Sequence, residues 1–166
     1  YVGLKFEKIN FDKLPLFHAK IPISSPTGQL IANFNLYLRN DPRTLEDIPM
    51  DGRVSLKKIA VVALDKSMEG CSDNSIAGVN LGQFLAAAGV KAAPGTTNQS
   101  EADENIVFAS CDNPNSVIVT EKSDKTQIIQ DGESCYKIQV SSCEDMVKAT
   151  ERFMMLAVGQ SSGYDI

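Results

Sequence analysis

The chain has 166 residues, 43% hydrophobic and 22% charged, with 21 acidic against 16 basic side chains and a formal net charge of -5. That length and balance suit a single globular domain with a real core and exclude wholesale disorder. Its basic residues are scattered and carry no interleaved aromatics, which argues against nucleic acid as a partner.

The first 40 residues read as strands over 2–9, 17–23 and 29–38, turned by Pro22, Pro26 and Gly28. In the third of these, Phe34, Leu36 and Leu38 alternate with Asn33, Asn35 and Tyr37, the period of two that marks one wet face. The chain then turns at Asn40-Asp41-Pro42-Arg43, because a residue before proline is driven out of the helical region. Arg39, Asp41 and Arg43 make this the densest polar cluster and the candidate ligand contact. It could clamp a carboxylate or a sugar hydroxyl; on the favoured structural alternative, Asp41 accepts from nearby backbone amides while the arginines tie the loop to the sheet.

Residues 58–64 form a nearly continuous apolar run of strand length, expected at the sheet centre with both faces covered. After a loop containing Cys71, Ser72 and Asp73 are placed to cap a helix over 74–88, whose stripe is Ala77, Leu81, Phe84, Leu85 and Ala88. Gly78 and Gly82 lie four apart on it, a spacing that permits close packing, and Gly89 stops it. A short strand over 90–93, a loop over 95–104 with the glycosylation triplet Asn98-Gln99-Ser100, and a strand over 105–110 complete a strand-helix-strand unit.

Three short strands over 117–121, 126–130 and 135–140 then read as a meander, with Tyr136, Ile138 and Val140 pointing to the core. The last helix opens on a capping box of Ser141 and Glu144, carries Met146, Val147, Phe153, Met154 and Ala157 inward, and is stopped by Gly159 ahead of a frayed tail over 160–166. The expected architecture is α+β: one domain over residues 1–166, a mixed and mostly antiparallel sheet of seven or eight strands, and two amphipathic helices on one face.

Four cysteines, Cys71, Cys111, Cys135 and Cys143, are even in number and lack any Cys-x-x-Cys, so they read as structural disulfides of an exported domain. Cys135 and Cys143 bracket a strand and should lie ~15 Å or more apart, beyond the ~7 Å a bridge allows. If the meander runs up and down from the strand ending at Ser110, Cys111 shares an edge with Cys135, which leaves Cys71 for Cys143.

Catalytic patterns are sparse. His18 is the one histidine, read as structural or surface-exposed, and there is no Gly-x-Ser-x-Gly and no phosphate-binding loop. No cofactor is expected. Asp65, Asp73 and Asp112 follow strand ends, where open α/β sheets bind ligands, and are weak candidates for an oxygen-ligated metal; caps and turns account for each of them singly. No stretch approaches the ~18 apolar residues that cross a bilayer, and Tyr1-Val2-Gly3-Leu4-Lys5 carries no signal-peptide pattern. Membrane contact is therefore expected only through a removed anchor.

The blocks Asn35-Leu-Tyr-Leu-Arg-Asn-Asp-Pro-Arg43, Ala109-Ser-Cys-Asp-Asn-Pro-Asn-Ser-Val-Ile-Val119 and the stretch from Ser134 to Met154 resemble those of exported or membrane-anchored archaeal proteins, a family without assigned activity. The resemblance spans most of the chain and implies an extracytoplasmic location but no mechanism and no transferable site residue. The expected role is a non-catalytic cell-surface domain that contacts another envelope protein or a glycan. Its rival is a metal- or small-molecule-binding hydrolytic enzyme using Asp65, Asp73 and Asp112.

Overall fold

The computed structural model describes residues 3–161. In them the expected α+β class is realised by ten strands in two sheets and two α-helices, with short 3-10 turns between. Strands β1 (Glu7–Phe11), β2 (Leu14–Ser24) and β3 (Leu30–Leu38) form a small antiparallel sheet in that order. Val2, where the sequence starts its first strand, lies outside the described residues, and pairing begins at Glu7 opposite His18. The turn after Leu38 contains a 3-10 helix, Pro42–Asp47, capped by the Asp41 side chain.

The remaining strands are β4 (Met50–Asp51), β5 (Ile59–Leu64), β6 (Lys91–Thr96), β7 (Val107–Phe108), β8 (Ser116–Lys122), β9 (Gln127–Gln130) and β10 (Cys135–Val140). They form a second sheet in the order β4-β9-β10-β8-β5-β6-β7. The expectation of one mostly antiparallel sheet is corrected twice here. The sheet is divided, and in the larger part every neighbouring pair is parallel except β9 with β10. The meander over 117–140 is likewise replaced. Strands β8 and β10 are parallel neighbours, and β9 lies on the far side of β10. The reason is legible in β8, where Ser116 to Thr120 are all buried, as in strands covered on both faces.

Helices α1 (Asn74–Ala87) and α2 (Asp145–Ser161) cover one face of the large sheet. The α1 stripe buries Ala77, Leu81, Phe84 and Leu85, and Gly89 follows at φ 74°. Neither end of the helix pair is capped as expected. Asp73 makes no side-chain cap bond, and Ser141 donates to the Asp145 carboxylate at 2.8 Å instead of engaging Glu144. Gly159 does not stop α2, which continues to Ser161; residues 162–166 lie outside the described residues. From Met146 to Val158 nearly every α2 side chain is buried, because the helix lies between the large sheet and the inner row of the small one, Phe17, Ile21, Phe34, Leu36 and Leu38.

The other face of the large sheet has its own small core, Val61, Ala63, Val117, Val119 and Cys135, covered by Val107 and Ala109. Gly95 makes that cover fit: a Cβ there would lie 2.5 Å from Val61 Cγ1 and 3.2 Å from the Val107 carbonyl oxygen. Gly78 and Gly82, in contrast, face open space rather than a close neighbour. Gly95→Ala is therefore expected to destabilise by about 1–3 kcal/mol through overpacking. Gly78→Ala should stabilise by roughly 0.5–1 kcal/mol, the helix-interior difference between the two residues. Chemical denaturation of the two variants checks both signs.

Candidate functional site

Two disulfides join Cys71 to Cys143 and Cys111 to Cys135, with Cα separations of 5.3 and 5.4 Å. The first ties the approaches to α1 and α2; the second fastens the loop before β8 to the start of β10. The pairing is the one the strand-end argument favours, although the geometry behind it differs. Cys111 and Cys135 share an edge because β8 and β10 run parallel, so that Cys135 lies beside Val117 at the start of both strands. Two bridges point to an oxidising, extracytoplasmic environment. No helix among the described residues is long and apolar enough to cross a membrane.

The Arg39, Asp41 and Arg43 cluster does not converge on a cleft. Asp41 receives Arg43 Nε at 3.0 Å, Arg43 Nη2 at 2.5 Å and the Arg43 backbone N–H at 3.0 Å. The Arg43 guanidinium holds the Asp41 carboxyl down to about 2. The pair caps the 3-10 helix. Arg39 contributes its backbone N–H, which donates to Glu151 on α2 at 2.5 Å.

The three aspartates separate as well. Asp65 accepts from Ser67 N at 2.8 Å and Thr97 Oγ1 at 2.9 Å, bonds that keep its carboxyl ionised below the usual range, Ser67 contributing most. Asp65 and Asp73 follow the end of β5, whereas Asp112 adjoins Cys111 at the edge where β8 begins. Because β5 and β8 are parallel, these are opposite ends of the strands. No group of three or more potential metal-ligating side chains forms among the described residues.

Glu151 was invisible to motif reasoning and is the most deeply buried acid among the described residues. It is fully buried and accepts from Arg39 N, from Asn40 N at 3.1 Å and from Asn40 Nδ2 at 2.8 Å. Burial pushes its carboxyl above the ordinary value, against the hydrogen bonds that lower it. Its position between Val147 and Met154, at spacings of four and three, is the signal that could have found it: an acid within the apolar stripe of a helix needs dedicated donors.

An open cavity of about 650 Å³ lies where the small sheet crosses the ends of α1 and α2, walled by Ile21, Phe34, Leu56, Phe84, Val90 and Val158. Among the described residues no ionisable side chain lines it. The more exposed feature is the small sheet's outer face. By register and alternation, Phe11, Leu14, Leu30 and Tyr37 share it, with His18 stacked on Tyr37 at 4.9 Å and its Nε2–H donating to Asn35 Oδ1 at 3.0 Å. Comparison with family models, with curated proteins and with solved structures finds no match.

Proposed function

We propose that the chain is a non-catalytic cell-surface domain, secreted or held by an anchor, whose small sheet contacts another envelope protein or a glycan. The observation that carries this is the uneven distribution of exposed apolar surface. Of nine exposed large hydrophobic residues among the described ones, five lie on β1 to β3: Phe11 at 74%, Ile31 at 67%, Leu30 at 57%, Tyr37 at 47% and Leu14 at 42%. Patches that mix aromatic, aliphatic and polar groups in this way mark contact surfaces. His18, Asn35 and Lys20 supply the polar component on the same face. The resemblance to exported or membrane-anchored archaeal proteins supports the same location.

The rival, a metal- or small-molecule-binding hydrolytic enzyme with an acidic site at the strand ends, would require Asp112 to meet Asp65 and Asp73 from the opposite end of the strands. The test is retention of the purified domain on envelope fragments of its source cell. A variant carrying Phe11→Ser and Tyr37→Ser is expected to lose at least about tenfold in affinity, as buried aromatic anchors do, with an unchanged melting temperature. Loss after protease treatment of the fragments identifies a protein; loss after periodate oxidation identifies a glycan. Equal retention of variant and parent would reject the proposal, and a calcium-dependent rise in melting temperature that Asp65→Asn abolishes would favour the rival.

A further inference from the structure

The four sheet edges of this chain are not treated alike. The large sheet ends on both sides in two-residue strands, β4 and β7, and the small sheet ends on one side in β1, which carries Glu7 and Lys8. Short or charged edges are how proteins block unwanted strand pairing. The remaining edge, β3, is nine residues long, Leu-Ile-Ala-Asn-Phe-Asn-Leu-Tyr-Leu, without a single charge or proline.

The direction of its backbone groups follows from the prolines of β2. Pro22 lies beside Asn33 and has no N–H to give, and Pro15 lies beside Asn10. Alternation in an antiparallel ladder then bonds Phe34, Leu36 and Leu38 to β2 and turns the N–H and C=O of Asn33, Asn35 and Tyr37 outward. The next outward N–H in that series, Arg39, is the one taken by Glu151. Among the described residues no backbone partner meets the outward groups of Asn33, Asn35 and Tyr37.

We infer that this edge pairs with the same edge of a second copy of the chain, antiparallel about Asn35, to make a six-stranded sheet across a two-fold axis. Asn35 then faces Asn35 of the other copy, and Asn33 faces Tyr37 in both directions, so all three outward residues of each strand are used. No charge opposes a like charge along the seam, which suits self-association of a chain of net charge -5. The nearest lysine, Lys20, lies beside Asn35 on β2. Two copies of it are separated by three strand spacings, ~14 Å, more than the ~8 Å over which charge is felt at physiological salt. The register irregularity between Ile23 and Ser24 leaves Ile31 as an extra residue on β3, which bends the strand beyond Asn33 and limits the pairing to the stretch that self-matches. This goes beyond the envelope-contact proposal, since it needs no envelope component and is tested on the purified chain.

Sedimentation equilibrium from low micromolar to near-millimolar protein is expected to show a monomer–dimer equilibrium. Asn35→Lys, which sets two ammonium groups face to face, should raise the dissociation constant at least about tenfold. Independently of that variant's folding, Asn35→Cys should cross-link to itself under mild oxidation, because a hydrogen-bonded pair holds its Cα atoms about 5.5 Å apart, within disulfide range. Asn33→Cys should not, its two copies being offset by four residues, ~13 Å. A monomer at every concentration, a dimer indifferent to Asn35→Lys, or cross-linking of Asn33→Cys as readily as Asn35→Cys would overturn the inference. None of these outcomes touches the fragment-retention measurement.

Discussion

Replacing Cys71 and Cys143 together by serine is expected to lower the stability of the folded chain by about 4.4 kcal/mol, the loop-closure value for a sequence separation of 72 residues. The corresponding loss for Cys111 and Cys135, 24 residues apart, is about 3.5 kcal/mol. Single domains are stable by only about 5–15 kcal/mol, so losing both bridges removes a large share of the total. Denaturant titration of each serine pair gives the two values separately. The order should hold because Cys71–Cys143 closes the longer loop; a larger loss from the Cys111 and Cys135 pair would show that local packing, and not chain entropy, governs.

The second large effect is expected at Glu151. Truncation to alanine removes the shared acceptor of Arg39 N, Asn40 N and Asn40 Nδ2 and leaves a void in a helix buried on nearly all sides. Lost hydrogen bonds and cavity together should cost about 2–4 kcal/mol, the relief of a buried charge offsetting part. The pH dependence has a definite sign. The folded chain holds the Glu151 proton more tightly than the unfolded chain does, so this group's contribution is fully present below the ordinary value of 4.5 and declines as pH rises through the raised folded value. Asp41 acts the other way: its contribution is present above 3.8 and is lost as pH falls toward about 2. Melting temperature followed from pH 4 upward should therefore carry a falling contribution in the parent protein that is missing in Glu151→Ala, so the difference between the two narrows as pH rises. An unchanged slope would mean that another group carries it.

Most elements were legible because their apolar residues keep the period of one secondary structure. The alternation of Phe34, Leu36 and Leu38, the Leu81 to Leu85 stripe and the inward set Tyr136, Ile138 and Val140 all bury as their spacing dictates. Strand order was not legible in the same way. Residues 117–140 offer three short strands with turns between, which suit a meander, and only the continuous burial of β8 distinguishes a central parallel strand from one with a wet face. The Arg39, Asp41 and Arg43 cluster drew attention as charge density, yet its chemistry is spent within the loop, and the group that organises the region, Glu151, comes from more than 100 residues away. The open face and free edge of β3 could not be read from the chain alone, because alternation shows which residues are wet but not what lies beside them.

The order in which the cysteines occur along the chain has a consequence for its maturation. A polypeptide delivered N-terminus first into an oxidising compartment presents Cys71 and then Cys111 before either native partner has arrived. The earliest bridge open to the chain is thus a non-native one, and a Cys71–Cys111 bond formed at that stage is resolved only by thiolate attack once residues 135 to 143 emerge. The yield of correctly bridged domain should accordingly rise with the thiol-exchange capacity of its compartment.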